Sequence, residues 1–267
     1  MKKILFLFLT IFLVQSCVDA NIDFTDKNNT SNGNKVLSKI KYAEVGEIPY
    51  DIIYNWSGGK LISVNTSNNS TSYSLEYTGN QISKVIQIEG QGAQLHTTTS
   101  NLVYTNGLLT SIYGTDISST SNSNFATSIT YSGTQPTFIK RNFITGSTTT
   151  YSESLSIEYS GANISKASTL FGVPSLQINA ILTYNSYDNK QNPFHTLPSA
   201  FNISNSFINQ DAAASILGLN INNFTSVSTS GAGVTPTTEN TVYTYGADGY
   251  PTKSVSPDFI LEYEYMN

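Results

Sequence analysis

The sequence predicts an all-β fold: an antiparallel up-and-down meander of about 14–16 strands, curled into a barrel or half-barrel, with one helix-containing insertion. Three observations lead there. First, a short phrase recurs, in which an alternating run ends in Tyr and passes through a Gly/Asn turn into a second apolar run. The turns read Tyr77-Thr-Gly-Asn80, Tyr104-Thr-Asn-Gly107, Tyr131-Ser-Gly-Thr134, Tyr159-Ser-Gly-Ala162 and Tyr245-Gly-Ala-Asp-Gly249. The steps between tyrosines are 23 (54 to 77), 27 (77 to 104), 27 (104 to 131), 28 (131 to 159) and 25 (159 to 184). A fixed period sets the architecture, and each unit reads as one β-hairpin. Second, the runs alternate with period two: Tyr73, Leu75 and Tyr77 against Ser74 and Glu76, and Leu155, Ile157 and Tyr159 against Ser156 and Glu158. Each strand then has one apolar and one polar face. Third, the rhythm breaks once, between Tyr184 and Tyr245.

In chain order, the first element is an export signal over residues 1–16. Lys2 and Lys3 precede an apolar run, Ile4 to Val14, too short to span a bilayer as a helix. Val14-Gln15-Ser16-Cys17 resembles the lipobox of bacterial lipoproteins, in which cleavage precedes the Cys and its thiol receives a diacylglycerol. That resemblance implies lipidation of Cys17 and attachment to the outer membrane. Each buried CH₂ of such an anchor adds about 0.8 kcal/mol. Residues 17–35 form the lipidated Cys and a flexible tether rich in Asn, Asp and Ser. Asp19, Asp23 and Asp26 loosely resemble the acidic surface-export signals of Bacteroidota lipoproteins.

Residues 36–267 make a single hairpin-repeat domain. Pro136 and Pro251 stand at strand starts, where a missing N–H is tolerated. The insertion occupies 192–235. Within it, residues 206–218 read as a helix, with Phe207, Ile208, Ala212, Ile216 and Leu219 at helical spacing, Ser206 as cap and Gly218 as stop. Residues 228–238 read as a mobile loop. A sheet this long curls or closes, because twist accumulates and closure removes edges.

Composition excludes several classes of function. Cys17 is the sole Cys, so no intramolecular disulfide or thiolate metal cluster forms. The chain carries a net charge of −5. Loss of Lys2 and Lys3 leaves about −7, without a basic cluster for nucleic acid. His96 and His195 are the two histidines, and neither lies in a metal-ligand spacing. His96 opens a polar strand and reads as a surface residue. No cofactor or metal is expected. Glu76, Glu158, Glu262 and Glu264 fall on polar strand faces, where they keep the surface soluble. The turn tyrosines fall on apolar faces as core residues. Trp56, at a hairpin turn, is the candidate exposed aromatic and contact residue.

The stretch Tyr187-Asp-Asn-Lys-Gln-Asn-Pro-Phe194 resembles the Y-D-x-K-x-N-P-F phrase of an uncharacterised Bacteroidota lipoprotein family with a porin-like fold. The tyrosine-turn hairpins are similar to that family's, and more distantly to the YD repeats of Rhs-type proteins. The resemblance implies a fold and a location but no enzymatic activity. In physical terms, Asp188 and Asn189 are placed to build an Asx turn before Pro193.

These readings converge on a cell-envelope lipoprotein with a noncatalytic binding or scaffolding domain, tethered by its lipid at a periplasmic or surface-exposed face. A lipid or glycan would sit in the barrel mouth near residues 192–223, lined by Phe194, His195 and Phe207. The alternatives are an integral outer-membrane β-barrel or pore, whose strands also alternate, and a glycan-active hydrolase, which needs two facing carboxylates.

Overall fold

The computed structural model describes residues 35–173, 175–206, 218–232 and 235–267. Cys17, Phe207, the signal and nearly all of the tether lie outside those residues. So does the expected helix over 206–218, apart from its two end residues.

The strands are β1 (Val36–Glu44), β2 (Tyr50–Ser57), β3 (Lys60–Thr66), β4 (Thr71–Thr78), β5 (Gln81–Glu89), β6 (His96–Thr105), β7 (Leu108–Ser118), β8 (Asn122–Ser132), β9 (Gln135–Thr145), β10 (Thr148–Ser160), β11 (Asn163–Val173), β12 (Leu176–Gln191), β13 (Asn222–Gly231), β14 (Thr237–Asn240), β15 (Val242–Tyr245), β16 (Pro251–Val255) and β17 (Phe259–Met266). Each pairs antiparallel with the next along the chain, except across the β14–β15 junction. There β14 and β15 form one stave interrupted at Thr241, whose N–H still bonds Thr225 O at 3.0 Å. β1 pairs with both β2 and β17, which turns the 17-stranded sheet into a barrel.

Side-chain alternation decides what faces inward. Tyr73, Leu75, Val85, Ile112, Ile139, Leu155 and Leu261 are buried, while Ser74, Glu76 and Ser156 between them are exposed. The inward set from all sides joins one apolar core. The expected turn chemistry holds: Asn106 and Gly107 adopt φ of 52° and 83°, which a two-residue hairpin turn demands.

The turn aromatics are pegs. Tyr77, Tyr104, Tyr131 and Tyr159 donate their hydroxyls to the carbonyls of Leu61 (2.8 Å), Ile82 (2.9 Å), Leu109 (2.8 Å) and Pro136 (3.1 Å). Each acceptor lies opposite the preceding peg: Leu61 opposite Trp56, Ile82 opposite Tyr77, Leu109 opposite Tyr104 and Pro136 opposite Tyr131. The register slips at each of these pegs, so the local ladder is broken and a carbonyl becomes free for the next hydroxyl. Tyr265 to Pro251 O (2.7 Å) and Trp56 Nε1 to Leu37 O (2.9 Å) carry the chain of bonds past the closure. At two positions in the counted rhythm the tyrosine is a core residue, Tyr54 and Tyr184, and the peg bonds beside them are made by Trp56 and Tyr187.

One expectation is corrected. Residues 228–238 are not one loop: 228–231 complete β13 and 237–238 open β14. Ladder bonds need only backbone groups, so a Ser/Thr run with one apolar anchor, Val227, pairs without an alternation signal. The hydroxyls of Ser228 and Thr238 also meet across the pair at 2.8 Å. The helix found among the described residues, α1 (Ser199–Ser206), begins just after Pro198 and precedes the expected one. Ala200, Phe201, Asn202, Ile203, Ser204 and Asn205 are all buried. A helix with no solvent face has no amphipathic stripe to read. It packs near β5 and β6, with Phe201 edge-on to Tyr73 at 5.6 Å. The insertion therefore plugs the barrel at the tyrosine-turn end.

Candidate functional site

The break in the repeat is shaped by the Tyr187–Phe194 phrase. Tyr187 is a peg with two acceptors, Ile164 O at 2.6 Å and Asn220 Oδ1 at 2.9 Å. Burial pushes its pKa up. Asp188 Oδ1 accepts from Lys190 N at 2.9 Å, which is the expected Asx turn. The same carboxylate accepts from Asn223 N (3.2 Å), from Asn223 Nδ2 (3.2 Å, to Oδ2) and from the Tyr245 hydroxyl. Asn192 Oδ1 caps the following 3₁₀ turn by accepting from Phe194 N at 3.1 Å, and its Nδ2 reaches Asn220 O at 3.2 Å. Asp188 and Asn192 thus bind the chain on both sides of the insertion and drop Pro193 and Phe194 into the barrel.

Beneath this step lies a cavity of about 30 Å³. Its aromatic walls include Phe194, Phe224, Tyr243, Phe259 and Tyr263, and Glu239 supplies a carboxylate. Phe194 stands edge-on to Tyr263 at 6.1 Å, and the Tyr263 hydroxyl meets Ser254 Oγ at 2.8 Å. Burial, reinforced by Asp258, raises the Glu239 carboxyl above its ordinary value. Buried ligand pockets run to hundreds of Å³, so this space holds one small group and not a whole sugar or acyl chain.

Of the residues singled out in the sequence, Phe194 lies in this cavity. His195 is beside it but not among its walls; it is half-buried, with its N–H on Asn192 O at 3.0 Å. Trp56 is half-buried against the core, and its indole N–H is taken by the peg bond. It is not the exposed aromatic expected, because its turn position is a peg position. Glu239 and Tyr243 escaped notice, although their shared parity with Tyr245 places them on the inner face.

A second polar group sits inside the wall from β5 to β10. Arg141 and Glu153 face each other across β9 and β10, and each is 1 % exposed. The guanidinium lies 4.5 Å from the Phe125 ring centre and donates from Nε to Thr127 Oγ1 at 3.1 Å. Burial lowers its pKa to about 9, against the opposing pull of Glu153 and Asp116, so it is a cation at neutral pH. Nearby, His96 Nε2 meets Asp116 Oδ1 at 2.5 Å, and Thr98 Oγ1 donates to the same oxygen at 2.8 Å. His96 is therefore half-buried and paired, not the surface residue expected. By contrast, four outward strand glutamates have lysines: Glu76 with Lys84, Glu158 with Lys166, Glu264 with Lys39, and Glu262 with Lys41 and Lys253. Among the described residues, no three His, Asp or Glu side chains are grouped to hold a metal ion.

The fold is that of porin-like proteins from Bacteroides. A porin-like protein from Bacteroides uniformis aligns with a TM-score of 0.50 at 16% identity, over 86% of this chain and 98% of that one. One from Bacteroides vulgatus aligns with a TM-score of 0.53 at 12% identity, over 87% of this chain and 99% of that one. At these identities the likeness establishes the architecture alone. No family model and no curated protein matches the chain.

Proposed function

We propose that this protein is an outer-membrane lipoprotein, anchored through a diacylglycerol on Cys17, whose barrel stands in water as a noncatalytic binding or scaffolding domain. One observation carries the reading: the sidedness of the wall. The inward residues form an apolar core around the buried Arg141–Glu153 group, while the outward face carries serines, threonines and Lys–Glu pairs interspersed with apolar residues such as Ile62, Val103 and Leu170. A membrane-spanning barrel needs the reverse, an apolar band toward lipid around a polar interior. Lys140, exposed on β9, would cost about 2–4 kcal/mol at the bilayer midplane. The packed interior also argues against a pore, since Phe125, Ile139, Leu155 and Phe201 occupy space that conduction would need for water.

The finer reading rests on the lipobox-like Val14–Cys17 and on the Tyr187–Phe194 phrase. A lipid or glycan bound near the insertion is the proposed ligand class, with Phe194 lining its site and His195, Trp56 and Phe207 as further contact residues. The test is fractionation of cells making Cys17→Ser. The anchored domain leaves the membrane for the soluble fraction. A variant retained in the membrane, or conductance steps from the wild-type protein in planar bilayers, would show a spanning barrel instead.

A further inference from the structure

Glu239 is an inward carboxylate with no ion-pair partner among the described residues. Four outward glutamates of the strands have lysines, Asp188 has four donors, and Glu153 faces Arg141. Glu239 lines the cavity, half-buried, with no ion pair or side-chain hydrogen bond among the described residues. A second acceptor points the same way. The Asn223 side chain is 1 % exposed and also lines the cavity. Its Nδ2 is committed to Asp188 Oδ2 and to Gln191 O, both at 3.2 Å, which fixes the orientation of the amide. Its Oδ1 is buried and has no hydrogen-bond partner. A buried acceptor left unmade costs stability, and a flipped amide would set oxygen against the Asp188 carboxylate. Glu239 and Asn223 both line the cavity, with Tyr243, Phe259, Tyr263 and Phe194 among its walls; Glu239 stands opposite Val227, and Asn223 lies four residues back along β13.

The wall is open beside this space. β14 bonds to β13 on one side, but the β16–β17 hairpin turns back at residues 256–258, below it. The other edge of β14 has no strand partner among the described residues. Glu239, Thr241, Ser254 and Phe259 border that notch.

We propose that this cavity binds a primary ammonium group entering through the notch, with Glu239 as counter-ion and the aromatic walls contributing cation–π attraction, while Asn223 Oδ1 is a further acceptor in the cavity's lining. The proposal rests on the reading of the barrel as a binding domain and names the part of the ligand that the cavity takes. At about 30 Å³ the space admits the ammonium head and leaves the rest of the ligand outside. An amine-headed lipid and an amino sugar present the same chemistry. Burial and Asp258 both raise the Glu239 carboxyl in the empty cavity, and a bound cation opposes both.

The test is calorimetric titration of the full chain, in uncharged detergent, with propylammonium, propanol and propionate. Propylammonium binds and the other two do not. Glu239→Gln weakens the binding about tenfold or more, whereas Glu89→Gln, the same charge change on another strand, leaves it unaltered. Thermal melts of both variants establish that they are folded. Glucosamine and phosphatidylethanolamine vesicles then separate the two sources, since whichever displaces propylammonium supplies the amine. The proposal fails if propylammonium does not bind, binds no better than propanol, binds Glu239→Gln equally well, or is displaced by neither source. None of these outcomes alters the fractionation of Cys17→Ser, so the site and the anchored-domain reading fail separately.

Discussion

From β2 to β11 the wall repeats one construction, and from β12 to β15 it does not. In the first region every hairpin ends in an aromatic peg whose donor reaches the previous stave. In the second region Tyr187 acquires a side-chain acceptor as well as the carbonyl, and Tyr245 gives its hydroxyl to Asp188. The regular region spends its polar groups on itself: slipped register, freed carbonyl and peg match one another. The interrupted region must turn the chain inward for the insertion and bring it back. It does so through Asp188, Asn192, Asn220 and Asn223, and it leaves a cavity, an open notch and a carboxylate with no ion-pair partner among the described residues. A repeat is good at closing a wall; its break is where acceptors are left over for a ligand.

The comparison can be broken at several points. The largest effect is expected inside the regular wall, at Arg141→Met, which leaves Glu153 facing an apolar side chain. Breaking such a pair costs about 3–5 kcal/mol in urea unfolding. Near-wild-type stability would mean that the buried cation is not part of the wall's integrity. Next comes Asp188→Ala, which removes the acceptor of Tyr245, Asn223 and Lys190 together. A loss of about 2–3 kcal/mol is expected, with amide exchange rising first in β13 and β15. If exchange rises evenly round the barrel, Asp188 is not the organiser of the break.

The pegs give a graded pair. Tyr187→Phe takes one shared donor away from two acceptors, Ile164 O and Asn220 Oδ1, and Tyr131→Phe takes a donor from one, so losses of about 2 and about 1 kcal/mol are expected. Equal losses would make the interrupted region no different from the regular one. On the outer surface, Lys84→Ala breaks an exposed pair with Glu76 and should change stability by about 0.5 kcal/mol or less.

The smallest effect is the most specific to the cavity. A carboxyl whose folded-state pKa lies above its unfolded value weakens the fold while it is ionised. That penalty is complete above the folded pKa and absent below the unfolded one. Without ligand, Glu239→Gln should therefore be the more stable protein at pH 7, and its advantage should vanish as pH falls to about 4. An advantage that stays constant with pH would place Glu239 in water.

Much of the wall was legible because strand geometry is local. Period two in Tyr73–Tyr77 and Leu155–Tyr159 assigns a face to each side chain, and the Gly/Asn turns fix where the chain reverses. The outward glutamates followed from the same parity, and the Asx turn of Asp188 is made within three residues. Parity also contained Glu239, Arg141 and Glu153, but it places a charge on the inner face without saying what answers it. The helix α1 was invisible because a plug surrounded by barrel has no polar side to set a period. The end of β13, residues 228–231, was hidden because backbone pairing needs no apolar residue.

The sequence by itself determined the hairpins, their spacing, the side of the sheet each residue takes and the place where the repeat is interrupted, since all of these follow from neighbours along the chain. Only the tertiary structure decided that β1 closes on β17, that the Trp56 indole N–H serves as a peg, that Asp188 meets Asn223 and Tyr245, and that Glu239 lines a cavity. Those depend on which staves stand beside one another across the barrel, and the barrel's closure sets that at sequence separations no local pattern spans.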